Sequence, residues 1–406
     1  MQQPNSAARS RTATALLGVS ALILIVLILA YPDEAFQASF GGLRLWWTVL
    51  VPGLLPYLVV MELFTGFGLT RAFGALVEPA LYRLFRIPRG GGAPVIAGLL
   101  GGFPQGIQTA RRVLDVTPLD RYAAFRMLAA SHLCNPALLV TVVGAGFLQN
   151  VRAGVLLALI HYLSAGVAGW LGRFFLPESS VPSRNTGKDE PSKTFYVELR
   201  EARQEDGRSF GQLLGDAVTS TIQALFTLCG FIILFSVLIR MIALQLPDDG
   251  IGRWFLLLPA LLEPHLGAYA AAVRLEPSLL QLAVIAAALA WGGISQHVQV
   301  KALSGAASPR YGAYAAARLL QSLLAFGLTF ALAVPLASWL GGSTETMAVL
   351  PAFSQTESFS PRLPSFAGWP HALDSLRLSL AAAGLLLGIT ALCFRPIHRM
   401  KRKKRY

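Results

Sequence analysis

Charge is scarce in this chain: only 14% of its 406 residues are Asp, Glu, Lys or Arg, while 54% are hydrophobic. With a mean hydropathy of +0.56, a single water-soluble domain with a polar surface is excluded. Cysteine is scarce too. The three present, Cys134, Cys229 and Cys393, lie far apart, without Cys-x-x-Cys or Cys/His metal spacing, so they read as structural thiols and no metal site is expected. The six histidines form no His-Glu-x-x-His pattern, and neither a Walker lysine motif nor a dinucleotide fingerprint is present. Nothing therefore points to an enzyme, to ATP-driven pumping or to a bound cofactor.

What the chain has is apolar length. Stretches of roughly 20 apolar residues, enough to cross a hydrocarbon core, recur at 14–31, 45–67, 122–148, 153–175, 214–239, 279–300, 312–340 and 373–394. The expected fold class is an all-α polytopic membrane protein with about 8 transmembrane helices. Arg9 and Arg11 precede the first run as in a secretion signal. Leu22–Leu29, however, continues to Ala30-Tyr31-Pro32 without a small-x-small cleavage site, so an uncleaved anchor is expected.

The net charge of +13 sorts by membrane side rather than marking a nucleic-acid footprint. With a cytoplasmic N-terminus and alternating spans, 27 of the 34 Lys and Arg fall on the cytoplasmic side, including the 71–89, 173–208 and 301–318 groups and the Arg395–Arg405 tail. Only Arg44, Arg152, Arg240, Arg253, Arg274, Arg362 and Arg377 fall on the other. This is the positive-inside bias, and it sets both termini in the cytoplasm. The Lys401-Arg402-Lys403-Lys404-Arg405 tract serves as topological anchor or as a contact to anionic lipid.

Two further apolar segments are broken. Leu99-Leu100-Gly101-Gly102-Phe103-Pro104-Gln105-Gly106-Ile107-Gln108 interrupts one with Gly, Pro and amides, and Leu261-Leu262-Glu263-Pro264-His265-Leu266-Gly267 does so 162 positions later. At that offset Asn135, in Ser131-His132-Leu133-Cys134-Asn135-Pro136, falls on His297, in Gly292-Gly293-Ile294-Ser295-Gln296-His297. Paired Gly/Pro-broken segments at corresponding places in two halves are the best sequence pointer to a secondary transporter's substrate site. The charge bias survives only if 93–113 and 254–274 are re-entrant hairpins, which makes the halves opposite in orientation, as two inverted repeats. Irregular backbone at membrane depth must be buried or face water, so both hairpins should meet inside.

The expected organisation is an N-terminal anchor helix at 1–43, a first transporter repeat at 44–175, a cytoplasmic linker at 176–213 and a second, inverted repeat at 214–341. An extracytoplasmic loop at 342–372 and a C-terminal helix with a basic tail at 373–406 complete it. The segment 71–89 is too basic to span and is expected along the cytoplasmic surface.

The site candidates follow from the breaks. Gly101-Gly102-Phe103-Pro104 supplies a turn and a helix start, where unpaired N–H groups favour anions; a glycine kink for close helix packing is the other reading. Gln105 and Gln108 would then share a helix face. Arg111 and Arg112, at the hairpin's cytoplasmic end, either anchor and snorkel or attract anions. His132, Asn135 and Pro136 sit in mid-span, where polar groups need partners or a wet cavity. Glu263 and His265 either bind a coupling ion or pair with each other. Ser295, Gln296 and His297 break the next span; His297 is a donor, a charge switch near neutral pH or a satisfied core histidine. Lys301 is open between binding and structure, and Glu62 between snorkelling and ion coupling. Substrate-binding candidates are thus Gly102, Gln105, Gln108, Asn135, Ser295, Gln296 and His297, with Arg111, Arg112, His132, Glu263, His265 and Lys301 for anion attraction or coupling by a proton or sodium ion.

At these motifs the chain resembles the sporulation integral membrane protein family of spore-forming bacteria, whose members carry the nucleoside-recognition, or Gate, domain. The matching residues are Gly101-Gly102-Phe103-Pro104-Gln105-Gly106, Cys134-Asn135-Pro136-Ala137, Gly230-Phe231-Ile232-Ile233-Leu234-Phe235-Ser236, Leu262-Glu263 and Gly292-Gly293-Ile294-Ser295-Gln296-His297-Val298-Gln299, in order over about 95–300. Phe103, Gln105 and Val298 stand where the family often has Gly-Tyr-Pro-x-Gly and Ser-x-His-Ala-Gln. The family is distantly similar to concentrative nucleoside transporters, which bind substrate between two re-entrant hairpins and two unwound helices. The resemblance implies mother-cell expression, placement in the outer forespore membrane and movement of dipicolinic acid toward the spore. A flat dianionic pyridine dicarboxylate suits amides, histidines, helix N-termini and guanidinium groups; a neutral nucleoside would need the amides without excess positive charge. A different class is a non-enzymatic assembly or signalling factor for the spore envelope, in which the breaks are packing devices.

Overall fold

The computed structural model describes residues 5–117, 119–175, 195–246, 257–304 and 311–339. The expected loop at 342–372 and the helix and tail at 373–406 lie outside the described residues, as does the linker up to 194. Among the described residues every regular element is a helix: α1 (Asn5–Ala30), α2 (Pro32–Gly66), α3 (Leu69–Phe85), α4 (Gly92–Gly101), α5 (Gln105–Val116), α6 (Arg121–Ser131), α7 (Leu138–Phe147), α8 (Val151–Phe175), α9 (Phe195–Asp206), α10 (Phe210–Leu244), α11 (Leu257–Leu262), α12 (Pro264–Arg274), α13 (Leu279–Trp291), α14 (Gly293–Ser304) and α15 (Tyr311–Trp339). This is the all-α polytopic architecture expected.

Among the described residues five stretches are long and apolar enough to cross a membrane: Pro32–Gly66, Val151–Phe174, Phe210–Leu244, Leu279–Ser304 and Tyr311–Ala333. The expected span 14–31 falls on α1, whose apolar part is the shorter Ala15–Ala30. The span 122–148 is divided into α6 and α7. The boundary at 43/44 falls inside α2, whose 35 residues run on through a wider π-turn at Trp46–Leu50. Residues 71–89 mostly form α3, which ends at Phe85.

Local chemistry sets the helix ends. Asp120 accepts from the Tyr122 and Ala123 amides to start α6, Ser209 and Gln212 form a reciprocal capping box on α10, and Ser278 caps α13, each satisfying donors the first turn leaves open. Pro104 lies at the N-cap of α5 rather than at its first position. Glu263 caps α12 instead, with Pro264 in the first turn, where a missing N–H costs nothing.

The two halves share one plan. Each has a helical hairpin, α4–α5 or α11–α12, then a broken span, α6–α7 or α13–α14, then a closing helix, α8 or α15. Both hairpins close at backbone contact: a Cβ on Gly106 would stand 2.6 Å from Gly98 Cα, and one on Gly267 2.4 Å from Ala260 Cα. Small residues allow this approach where no hydrophobic effect drives helices together. The break in the first half covers 132–135, and that in the second is Gly292. The counterpart of Asn135 is therefore Gly292, and His297 lies a turn inside α14. The second break starts two positions earlier than that register places it and is one residue long where the first is four, so the 162-position register does not carry through the breaks.

Around this frame runs the main apolar core, with Leu50, Leu139, Val142, Ile160, Ile232 and Leu289 almost wholly buried. It fixes the breaks from behind.

Candidate functional site

Both hairpin tips, the first break and the helix that follows the second line one cavity of about 330 Å³, within the size range of small-molecule sites. Gln105 and Gln108 face it from α5, Asn135 from the first break, Glu263 and His265 from the second tip, and Ser295, Gln296 and Gln299 from α14. Glu62 on α2 and Ser220, Thr221, Gln223 and Thr227 on α10 complete the polar wall. A larger open cavity of about 1050 Å³ adjoins it, and Glu62 and Ser220 line both.

The first tip is held from three directions. Gly102 turns the chain at φ 77°, a conformation that favours glycine. The Gln105 Nε2 amide donates to Glu62 Oε1 at 2.5 Å, and the Tyr57 hydroxyl donates to the Leu100 carbonyl at 2.8 Å. Asn135 Nδ2 donates to the Gly101 carbonyl at 3.2 Å while its Oδ1 accepts from the Leu138 amide at 2.7 Å, so one side chain ties the tip to the break. The exposed backbone of that break is satisfied by α8: His161 Nε2 accepts from the Cys134 amide at 3.1 Å, and the Tyr162 hydroxyl donates to the Cys134 carbonyl at 2.9 Å. Buried irregular backbone demands such partners.

In the second half Glu263 Oε2 accepts from the Leu266 amide at 2.7 Å, and its Oε1 lies 2.6 Å from His265 Nδ1, both side chains being buried. The two pair with each other, one of the alternatives open in the sequence. Two hydroxyls in the cavity wall, Thr221 Oγ1 and Ser295 Oγ, are buried without a hydrogen-bond partner. Unpaired polar atoms of this kind are rare in protein interiors.

Other candidates stand away from the cavity. His132 is buried behind it, its Nε2 donating to Gln296 Oε1 at 2.8 Å and its Nδ1 against the Tyr314 hydroxyl. His297 is fully buried, its Nε2 donating to the Trp291 carbonyl at 3.0 Å, which is the satisfied-core arrangement. Gly102 is buried in the turn. Arg111 pairs with Asp115 and donates to the Ser304 carbonyl at 2.8 Å, linking α5 to α14. Arg112 faces the larger cavity, and Lys301 is exposed. Among the described residues no Lys or Arg lines the smaller cavity.

Sequence reasoning missed Tyr57, His161, Thr221, Tyr314 and Arg318. Arg318, grouped by charge with the cytoplasmic side, is 2% exposed in mid-helix; a charge inside an apolar run is the signal that marks it. The polar pattern Ser220, Thr221, Gln223, Thr227 marks the cavity face of α10 in the same way.

The fold and the site together define a polytopic helical membrane protein with a polar cavity enclosed by two broken helix pairs. The chain is 33% identical over 334 residues to the sporulation integral membrane protein YlbJ of Bacillus subtilis (strain 168), a match covering 78% of this chain and 82% of that protein. It belongs to that family and is an integral membrane protein of sporulation. No family model matches the chain, and no solved structure matches it.

Proposed function

We propose that the protein is a secondary transporter for a small anionic metabolite, dipicolinic acid, moved from the mother cell toward the forespore across the outer forespore membrane. The observation that carries this reading is the convergence of both hairpin tips, the first break and the helix after the second on a single cavity. Breaks that served packing alone have no need of a shared void lined by amides and unpaired hydroxyls. The two wall carboxylates are engaged, Glu62 by Gln105 and Glu263 by His265, leaving Gln108, Thr221 and Ser295 to donate to a carboxylate, while the Gln299 amide is held on the Ser295 carbonyl. The proposed cycle moves the hairpins of two inverted, Gate-like repeats against α2 and α10, with both termini cytoplasmic and a proton or sodium ion as coupling partner. The larger cavity would be the cytoplasmic vestibule, with Arg112 collecting anions.

A nucleoside is the second reading, favoured by the lack of Lys and Arg in the lining. Uptake of labelled dipicolinate and of a labelled nucleoside into vesicles carrying the protein separates the two. Dicarboxylate uptake that is lost in Asn135→Ala supports the first, and nucleoside uptake alone supports the second. Uptake of neither by folded, inserted protein moves the assembly-factor function ahead of both.

A further inference from the structure

Among the described residues no Lys or Arg lines the cavity, yet a guanidinium is buried beside the first break. Arg318 on α15 donates through one terminal nitrogen to the His132 carbonyl at 2.9 Å and to Gln321 Oε1 at 2.6 Å, and through the other to the Ala290 carbonyl. His132 is the C-cap of α6, and Ala290 lies in the last turn of α13. One side chain thus binds the open carbonyl ends of the half-helices that precede both breaks. Those ends carry the negative pole of each helix dipole, which is how the site tolerates a cation without a carboxylate.

All three acceptors are uncharged, and the Arg318 Nε and Gln321 Nε2 atoms lack partners. A single exchange, the Gln321 amide for a carboxylate, would neutralise the guanidinium at the same position. An uncompensated buried charge is costly, and in a membrane protein it is a functional candidate by default. Here the charge is retained although the means of cancelling it stands in contact with it.

Resting on the transporter reading, we propose that Arg318 is the positioning residue of the anion site. It pins the two broken spans together, and its charge, with no carboxylate in contact, offsets the negative potential of the wall carboxylates Glu62 and Glu263 and so lets the cavity admit an anionic cargo. Because the guanidinium acts from behind the wall, it does this without itself binding the cargo.

The test is uptake of dipicolinate and of a nucleoside by vesicles carrying the full chain, wild type against Gln321→Glu and Arg318→Lys. Gln321→Glu keeps the shape and the clasp but cancels the charge; the expected result is a dicarboxylate KM raised at least tenfold, with nucleoside uptake unchanged or increased and thermal unfolding in detergent undiminished. Arg318→Lys keeps the charge but not the fork; it should retain the preference for the dicarboxylate with a lower maximal rate. Wild-type uptake of dicarboxylate with an unaltered KM in folded Gln321→Glu overturns this inference alone. If that variant does not fold, Arg318→Lys decides: a folded Arg318→Lys that loses the preference overturns the role of the charge, and one that keeps it supports that role. A wild type that carries no dicarboxylate overturns the transporter reading for anions and this inference with it.

Discussion

His132 and Gln296, 164 positions apart, share a buried 2.8 Å hydrogen bond between Nε2 and Oε1. The amide oxygen only accepts, so Nε2 carries the proton and Nδ1 is left to accept from the Tyr314 hydroxyl. The link joins the first break to the helix after the second. Its strength is measurable in a double-mutant cycle of His132→Phe and Gln296→Leu: contacting residues of one network couple by about 0.5–3 kcal/mol, and thermal unfolding of the detergent-purified protein should show it. Strict additivity would mean that the two breaks are held together elsewhere.

Asn135 does two jobs at once, capping the chain at Leu138 and holding the Gly101 carbonyl. Asn135→Ala should cost about 1–2 kcal/mol, the upper range for a lost cap, and should lower uptake further than the stability loss explains. Asn135→Asp keeps the acceptor and loses only the donor, so its stability should fall between the two.

Gly102 has φ 77°, and a Cβ there would stand 2.8 Å from the Asn135 amide nitrogen. Gly102→Ala is therefore strained twice, with a cost of about 1–3 kcal/mol and loss of uptake. Gly230, in α10, has nothing within 4 Å of its Cβ position; Gly230→Ala should leave stability unchanged or slightly raised. Equal melting temperatures for the two variants would count against the strain.

At the larger cavity Arg71 bridges α3 to Glu198 and Glu205 of α9. Such exposed pairs contribute about 0.2–1 kcal/mol each, so Arg71→Ala should raise amide exchange in α9 without unfolding the bundle. The same helix ends on Asp206, whose pKa the Arg208 hydrogen bond holds below the ordinary carboxylate range. A depressed pKa contributes stability that is present above the unfolded value and lost as pH falls through the folded one. Protection at the α9–α10 junction, taken relative to the intrinsic exchange rate at each pH, should therefore stay level from pH 7 to 5 and fall only below about pH 4.

The helical membrane class and the positions of the breaks were legible in the chain because hydropathy and Gly/Pro breaks are local signals, written in consecutive residues. Most of the polar cavity lining, Gln105, Gln108, Asn135, Ser295 and Gln296, was legible for the same reason: an amide or hydroxyl in an apolar run needs a partner or a void wherever it ends up. Sequence spacing could not decide which way those groups point. His297 and Asn135 share a sequence offset, yet Asn135 lies in a four-residue break while His297 lies inside a helix after a one-residue break and donates to the Trp291 carbonyl. Tertiary packing alone set Arg318 between His132 and Ala290, since those contacts join segments that only the completed bundle brings together. Local chemistry determined where the chain breaks, and long-range packing decided what each break meets.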